Sequence, residues 1–166
     1  MLHFEGASGR SAGVETLTVK TERTLAIPAD PDAIWAVLAD FTTISRWAPK
    51  VEHSAPASGA HGGIGAVRRV QVGRLALLET VTEWEPSRRL SYLVAGLPPA
   101  AGAVTTTWQI SPQNGAAVAS VTSVIEPGPG PAGRIASRVV LRALAKAAEA
   151  MLGGLAQHVC NLEEQP

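Results

Sequence analysis

Two side chains of opposite charge could do chemistry, because each lies in an otherwise apolar line of a predicted strand. Glu79 alternates with Leu77 and Val81, and Arg68 alternates with Val70 on the preceding strand. Since successive side chains of a strand point to opposite faces, both are expected on the inner face. If they touch, the pair would orient a ligand through the remaining guanidinium donors. If they do not touch, Glu79 becomes a candidate general base.

Tyr92 and His53 complete the set of candidate catalytic groups. Tyr92 lies on a later strand, and His53 shares a predicted inward face with Val51. Arg68, Tyr92 or His53 would stabilise an enolate formed by Glu79. Purely structural roles are equally open, because Arg68 and Glu79 could form a satisfied buried pair and Tyr92 could pack with its hydroxyl at the rim.

The sequence predicts no metal site and no cofactor. The four histidines are scattered without ligand spacing, and Cys160 is the single cysteine of the chain, which excludes a disulfide framework and a cysteine metal cluster. Residues 128–133, GPGPAG, match the dinucleotide fingerprint letter by letter. Two prolines remove the backbone donors that would hold a pyrophosphate, so we interpret the segment as a stiff connection into the last helix.

The charge balance argues against nucleic acid or an anionic membrane surface as partner. The 14 basic and 14 acidic residues give a formal net charge of zero, and charged residues make up 17% of the chain, whereas both partners select a basic face. No apolar run reaches the roughly 20 residues of a membrane span. Residues 1–13 lack the features of a signal peptide. We predict a cytoplasmic protein with a flexible arm, residues 1–15, and a single ligand-binding domain, residues 16–166.

The spacing of apolar residues predicts one strand, two short helices, six strands and a long helix. The first strand covers residues 16–27, and Asp30 then caps a helix that opens with Pro31 and Asp32. A second short helix stops before Pro49. Period-two stretches with short connections follow, which implies an antiparallel meander. The predicted strands are 51–55, 66–72, 75–84, 90–95, 104–110 and 117–126.

The last segment, residues 132–162, is predicted to be one long amphipathic helix. Its centre is rich in alanine, so a surface packed on it could remain incompletely filled. A helix with little bulk at its middle, lying across a sheet, indicates a cover over a cavity. The apolar stripe consists of Val140, Leu144, Ala147, Met151, Leu155, His158 and Leu162.

Two glycine-containing segments could let a ligand enter. Residues 95–102 hold two glycines and two prolines without a charge, so we expect this loop to fold over the cavity mouth as a lid. Gly153 and Gly154 lower helix propensity and could give the long helix a soft point. An ordinary tight connection and a close helix contact are the alternatives.

Several short motifs accompany this order of elements. They are residues 27–35 (IPADPDAIW), 38–41 (LADF), 47–51 (WAPKV), 65–68 (GAVR), 79–86 (ETVTEWEP) and 89–92 (RLSY). Together they resemble the helix-grip fold of the START-related (SRPBCC) superfamily, in the branch named polyketide cyclase/dehydrase and lipid transport. The resemblance implies an α+β fold in which a seven-stranded curved antiparallel sheet wraps around the long C-terminal helix. It also implies a ligand cavity between them, closed at one end by the two short helices after the first strand.

Three classes of function fit this fold. The protein could carry or sense a small, mostly hydrophobic molecule; it could be a polyketide cyclase, aromatase or dehydratase using Glu79, Arg68 and Tyr92; or it could be a protein-interaction module, with apolar surface for a partner such as a second copy. We favour the first because the inward polar set is small. The predicted ligand-contacting residues are Trp47, Val51, His53, Arg68, Val70, Glu79, Val81, Tyr92, Trp108, Ala147, Met151, Leu155 and His158.

Overall fold

A curved antiparallel sheet of seven strands forms most of the structure, a computed structural model that describes residues 18–164. The second to seventh strands pair with their chain neighbours, and the first strand pairs with the seventh, so the first and second strands form the two edges of the sheet. The predicted fold class is confirmed, and the predicted arm, residues 1–15, lies outside the described residues. The strands are β1 Val19–Ile27, β2 His53–Pro56, β3 Val67–Val72, β4 Leu75–Glu85, β5 Arg89–Ala95, β6 Ala103–Gln113 and β7 Ala116–Glu126.

Two α-helices, α1 Pro31–Ala39 and α2 Gly130–Glu163, and two short 3₁₀ helices complete the order. Helix α1 begins as predicted, because the Asp30 carboxylate accepts a hydrogen bond from the backbone N–H of Asp32 at 2.8 Å. The second predicted short helix is the 3₁₀ helix Phe41–Arg46, which is kinked at Thr43. The other 3₁₀ helix, Pro99–Ala101, lies between β5 and β6.

The observed strands differ from the predicted ones chiefly at the β6–β7 hairpin. Strand β6 continues through Pro112 to Gln113, three residues beyond its predicted end, and Pro112 pairs with Ala117. The turn itself is Asn114-Gly115, and both residues have positive φ. Such a two-residue turn matches the twist of the flanking strands, so the hairpin can remain paired up to it.

Helix α2 packs on β1, β7 and α1 through a line of small and aliphatic side chains. The predicted apolar stripe is rotated from this line by about one residue: Leu155 belongs to both, but Leu162 is 52% exposed. The helix has apolar residues on two adjacent lines, so periodicity could not decide which one faces the sheet. The buried residues of α2 are Gly133, Ser137, Ala148, Leu152, Leu155 and Val159.

Helix α1 and the first 3₁₀ helix close one end of the concave face of the sheet. Ile34, Val37 and Leu38 of α1 are buried in the core, together with Phe41 and Ile44 of the 3₁₀ helix. This placement positions Phe41 against Arg68 of β3 and Tyr92 of β5.

Candidate functional site

A buried ion pair between Arg68 and Glu79 lies on the inner face of the sheet, on the second and third strands from the β2 edge. The two residues are directly opposite each other on β3 and β4, and Arg68 Nε donates to Glu79 Oε2 at 2.6 Å. Their side chains are only 3% and 10% exposed. Both side chains therefore point inward as predicted, and of the two alternatives that the sequence left open, contact between them is the one observed.

The guanidinium of Arg68 is also anchored to the 3₁₀ helix and to aromatic rings. Its Nη1 donates to the backbone carbonyl of Phe41 at 2.6 Å. Its central carbon lies 3.9 Å from the centroid of the Phe41 ring and 5.1 Å from that of Tyr92. Charge, hydrogen bonds and ring faces thus hold Arg68 in one position, which is what a group that orients a ligand requires.

Tyr92 lies beside this pair on β5 and is almost fully buried. Its hydroxyl oxygen accepts a hydrogen bond from Trp108 Nε1 at 3.4 Å. Burial, together with the negative charge of Glu79, raises the pKa of the Tyr92 phenol far above its ordinary value. The phenol therefore remains protonated at physiological pH and keeps its own proton as a hydrogen-bond donor.

Trp47 contacts this group through Trp108. The two indole rings meet edge to face, with centroids 5.8 Å apart. Trp47 is buried, and within residues 18–164 its Nε1 has no hydrogen-bond partner. A buried N–H without an acceptor is costly, so this donor requires an explanation.

Thr106 and Ser123 extend the polar group across the sheet, and the sequence analysis missed both. The register places Tyr92 opposite Thr106, and Thr106 opposite Ser123. The two hydroxyls hydrogen-bond each other at 3.0 Å and are buried. The sequence indicated that Thr106 faces inward, since it alternates with the apolar residues Val104 and Trp108 on the same strand.

Half-buried apolar side chains lie on one flank of α2 and on the inner face of the sheet. Glu149, on the opposite flank of α2, pairs with Arg23 of β1 at 2.6 Å, so the flank that carries Ala147 and Met151 points away from β1. The half-buried residues on this flank are Val140, Leu144, Ala147 and Met151, and those on the inner face of the sheet are Val72, Leu77 and Val94.

The family of the protein follows from a comparison with family models. A model described as polyketide cyclase / dehydrase and lipid transport matches residues 18–159. The chain belongs to this family. The predicted resemblance is therefore confirmed, and no curated protein matches the sequence.

Solved structures confirm the helix-grip fold of this polyketide cyclase/dehydrase-family protein. The ZhuI aromatase/cyclase from Streptomyces sp. R1128 is 18% identical, with a TM-score of 0.76 over 90% of this chain and 98% of that chain. A point mutant of norcoclaurine synthase from Thalictrum flavum is 16% identical, with a TM-score of 0.73 over 91% and 99%. A Thermobifida fusca protein is 23% identical, with a TM-score of 0.68 over 87% and 95%. At these identities the likeness shows the fold.

His53 of this family member lies outside the buried group, so its predicted orientation is wrong. The register pairs His53 with Gln71 and Ser54 with the buried Val70, and His53 is exposed. Ser54 is the residue that faces inward, where its hydroxyl donates to the Ser45 hydroxyl at 2.8 Å. Strand β2 is a short edge strand, and an error of one residue in its alternation exchanges its faces.

His158 also lies away from the ion pair, in a surface cleft. This cleft has a volume of about 420 Å³ and lies between α1, the first 3₁₀ helix and the end of α2. A second cleft of about 510 Å³ lies beside the β4–β5 turn. Neither cleft includes Arg68 or Glu79.

The remaining predicted ligand-contacting residues lie in or near the core. Val70, Val81 and Leu155 are buried, and Val51 is half-buried just before β2. None of the groups of His, Cys, Asp and Glu within residues 18–164 is arranged to hold a metal ion. In the same range, no helix is long and apolar enough to cross a membrane.

The loop 95–102 is anchored against α2 at its end, whereas most of its residues are exposed. Its Pro99–Ala101 segment forms the second 3₁₀ helix, which contacts α2, and Ala101 is buried. Gly96 has a positive φ of 98°. The loop therefore lies beside α2, and its movement on ligand binding stays a prediction.

Proposed function

We propose that the protein binds one small, mostly apolar molecule between the concave face of the sheet and α2, as a carrier or sensor. The observation that carries the proposal is the buried polar group formed by Arg68, Glu79 and Tyr92, with half-buried apolar side chains beside it. Ligand sites typically combine an apolar lining with a few fixed polar groups. Residues 18–164 would then act as a single ligand-binding domain.

Binding is favoured over catalysis because Glu79 is already engaged. A carboxylate oxygen that already accepts a hydrogen bond from a buried guanidinium at 2.6 Å is occupied within the protein and is not placed to reach a substrate proton. The same contact keeps Arg68 rigid, so that it can hold a ligand in a fixed orientation.

A cyclase or dehydratase activity is the second candidate, and one observation favours it. Tyr92 keeps a proton to donate, and it lies beside Arg68, which could stabilise developing negative charge. Incubation of the wild-type protein with poly-β-ketone mimics distinguishes the two functions. Binding without turnover supports the carrier or sensor, whereas turnover that is lost in Tyr92→Phe supports the enzyme.

Ala147 is half-buried on the flank of α2 that points away from β1, so a larger side chain there tests where the ligand binds. Ala147→Phe is expected to weaken binding of a flat aromatic ketone, 2-acetylnaphthalene, by about tenfold or more, because the new ring would occupy the proposed ligand space. The substitution should cost about 1 kcal/mol of stability or less, below the usual cost of overpacking a filled core. Calorimetric titration and urea unfolding measure the two quantities.

Ala143→Phe is the matched control, because Ala143 lies on the same helix but is exposed. Its affinity for 2-acetylnaphthalene should equal that of the wild type. If Ala147→Phe also binds like the wild type, the ligand does not occupy the space beside α2, and the proposed location is wrong.

One surface feature would suit a second copy of the chain as partner. Ile135 and Val139 are 65% and 61% exposed on the outward side of α2, one helical turn apart. Assembly through this surface would leave the proposed ligand site untouched.

A further inference from the structure

We infer that Trp47 contacts the ligand, with its indole N–H donating a hydrogen bond to a neutral oxygen acceptor such as a ketone carbonyl, and that the site selects such a molecule over a carboxylate. The inference rests on the proposed function and specifies the class of ligand. Three observations lead to it: an unpaired donor, a compensated cation and a second neutral donor.

The unpaired donor is the indole nitrogen of Trp47. It is buried without an acceptor in the described chain, although Trp47 is more than nine-tenths buried. The neighbouring indole of Trp108 has its acceptor, the Tyr92 hydroxyl at 3.4 Å. Two indoles in edge-to-face contact therefore differ in one respect: one is paired within the protein and the other has its donor unused. A ligand oxygen would satisfy it.

The compensated cation is Arg68. Glu79 neutralises it at 2.6 Å, and Arg68 is the one buried cation among residues 18–164. A ligand carboxylate would therefore add a second negative charge beside Glu79 without an additional cation to balance it. Burying such an unpaired charge is strongly unfavourable, whereas a neutral carbonyl carries no such cost.

The second neutral donor is the Tyr92 hydroxyl. Its oxygen accepts from Trp108, so its proton is left to donate. Burial keeps the pKa of this phenol above its ordinary value, and the group is not a phenolate at physiological pH. Trp47 and Tyr92 thus both present uncharged donors, which suit an uncharged acceptor.

Three naphthalenes of nearly equal shape test the inference by calorimetric titration at pH 7. They are 2-acetylnaphthalene, 2-isopropenylnaphthalene, in which a CH₂ group replaces the carbonyl oxygen, and 2-naphthoate. The wild-type protein should bind the ketone about tenfold more tightly than the alkene, the value of one buried hydrogen bond. It should bind the ketone at least about tenfold more tightly than the carboxylate as well.

Two variants test whether Trp47 causes the preference for the ketone over the alkene. Trp47→Phe should bind the ketone and the alkene within about twofold of each other, because the donor is gone and the ring remains. Trp35→Phe is the control, since Trp35 packs edge to face with Trp84 in another part of the core. It should keep the wild-type preference. If Trp47→Phe does not fold, the comparison of the three ligands in the wild type decides.

The outcomes separate this inference from the proposed function. Equal affinity for ketone and alkene in the wild type would mean that no ligand oxygen pairs with Trp47, which overturns the inference and leaves the proposed function standing. A preference for 2-naphthoate would overturn it too. Failure of all three molecules to bind would overturn the proposed function and the inference together.

Discussion

Arg68→Met and Glu79→Leu are each expected to destabilise the protein by about 3–5 kcal/mol, the cost of leaving one buried charge without its partner. Arg68→Met should lie at the upper end of this range. It also removes the hydrogen bond to the Phe41 carbonyl and the contact with the Phe41 ring, which hold the first 3₁₀ helix on the sheet. Urea unfolding of both variants measures the loss.

The double variant Arg68→Met/Glu79→Leu should recover most of the lost stability, because two apolar side chains replace two charges that cost desolvation energy. It should nevertheless fail to bind a ligand that the pair orients. If the double variant is as unstable as the sum of the single variants, the two charges are not coupled and the buried pair does not organise the site.

An exposed pair in the same sheet provides the matched control. Arg89 Nε and Glu83 Oε2 are also 2.6 Å apart, but their side chains are 42% and 47% exposed. Solvent screens them, so replacing either one should cost about 1 kcal/mol or less. The comparison isolates burial, since the distance is the same in both pairs.

Gly154→Ala is expected to destabilise the protein by about 1–3 kcal/mol, the usual cost of overpacking. A Cβ at this position would overlap the carbonyl oxygen of Trp47 and lie 2.7 Å from Cδ of Pro49. The colliding oxygen belongs to the backbone and cannot rotate away. Helix α2 would therefore have to move from the Trp47–Pro49 segment, and the edge-to-face contact between Trp47 and Trp108 would be disturbed.

Gly153→Ala, one residue away, is expected to stabilise the protein instead. Outside the neighbouring backbone of its own helix, no atom lies within 4 Å of a Cβ built on Gly153, and alanine in a helix interior is favoured over glycine by about 1 kcal/mol. Thermal unfolding of the two variants tests the pair. Equal effects of the two substitutions would contradict a close contact at Gly154 and would favour a flexible point in the helix instead.

The sequence predicted the interior well where strands are long and flanked on both sides. On β3, Arg68 and Val70 lie between other residues of clear alternation, so the inward face was assigned correctly. On β2, which has four residues and one neighbour, His53 was placed on the wrong face. Short edge strands contain too few residues for the alternation to show which of them face inward.

The sequence could not predict which face of α2 packs on the sheet, nor that the indole N–H of Trp47 lacks an acceptor within the described residues. Ala147 and Ala148 are equally apolar, and the tertiary contact with β1 and β7 decides that Ala148 is buried and Ala147 half-buried. The unused donor of Trp47 depends on the position of every acceptor around it. Such a feature arises from three-dimensional packing and has no periodicity to reveal it.

We propose that a small molecule binds beside the buried side chains of Trp47, Trp108 and Tyr92. A two-dimensional ¹H–¹⁵N NMR spectrum tests this most directly, because it resolves the indole N–H signals of the four tryptophans. Single Trp→Phe variants assign the signals. On titration with 2-acetylnaphthalene, the signals of Trp47 and Trp108 should shift saturably, whereas those of Trp35 and Trp84 should stay unchanged. Shifts confined to Trp35 and Trp84, or no shift at a ligand concentration that saturates the calorimetric signal, would contradict the account.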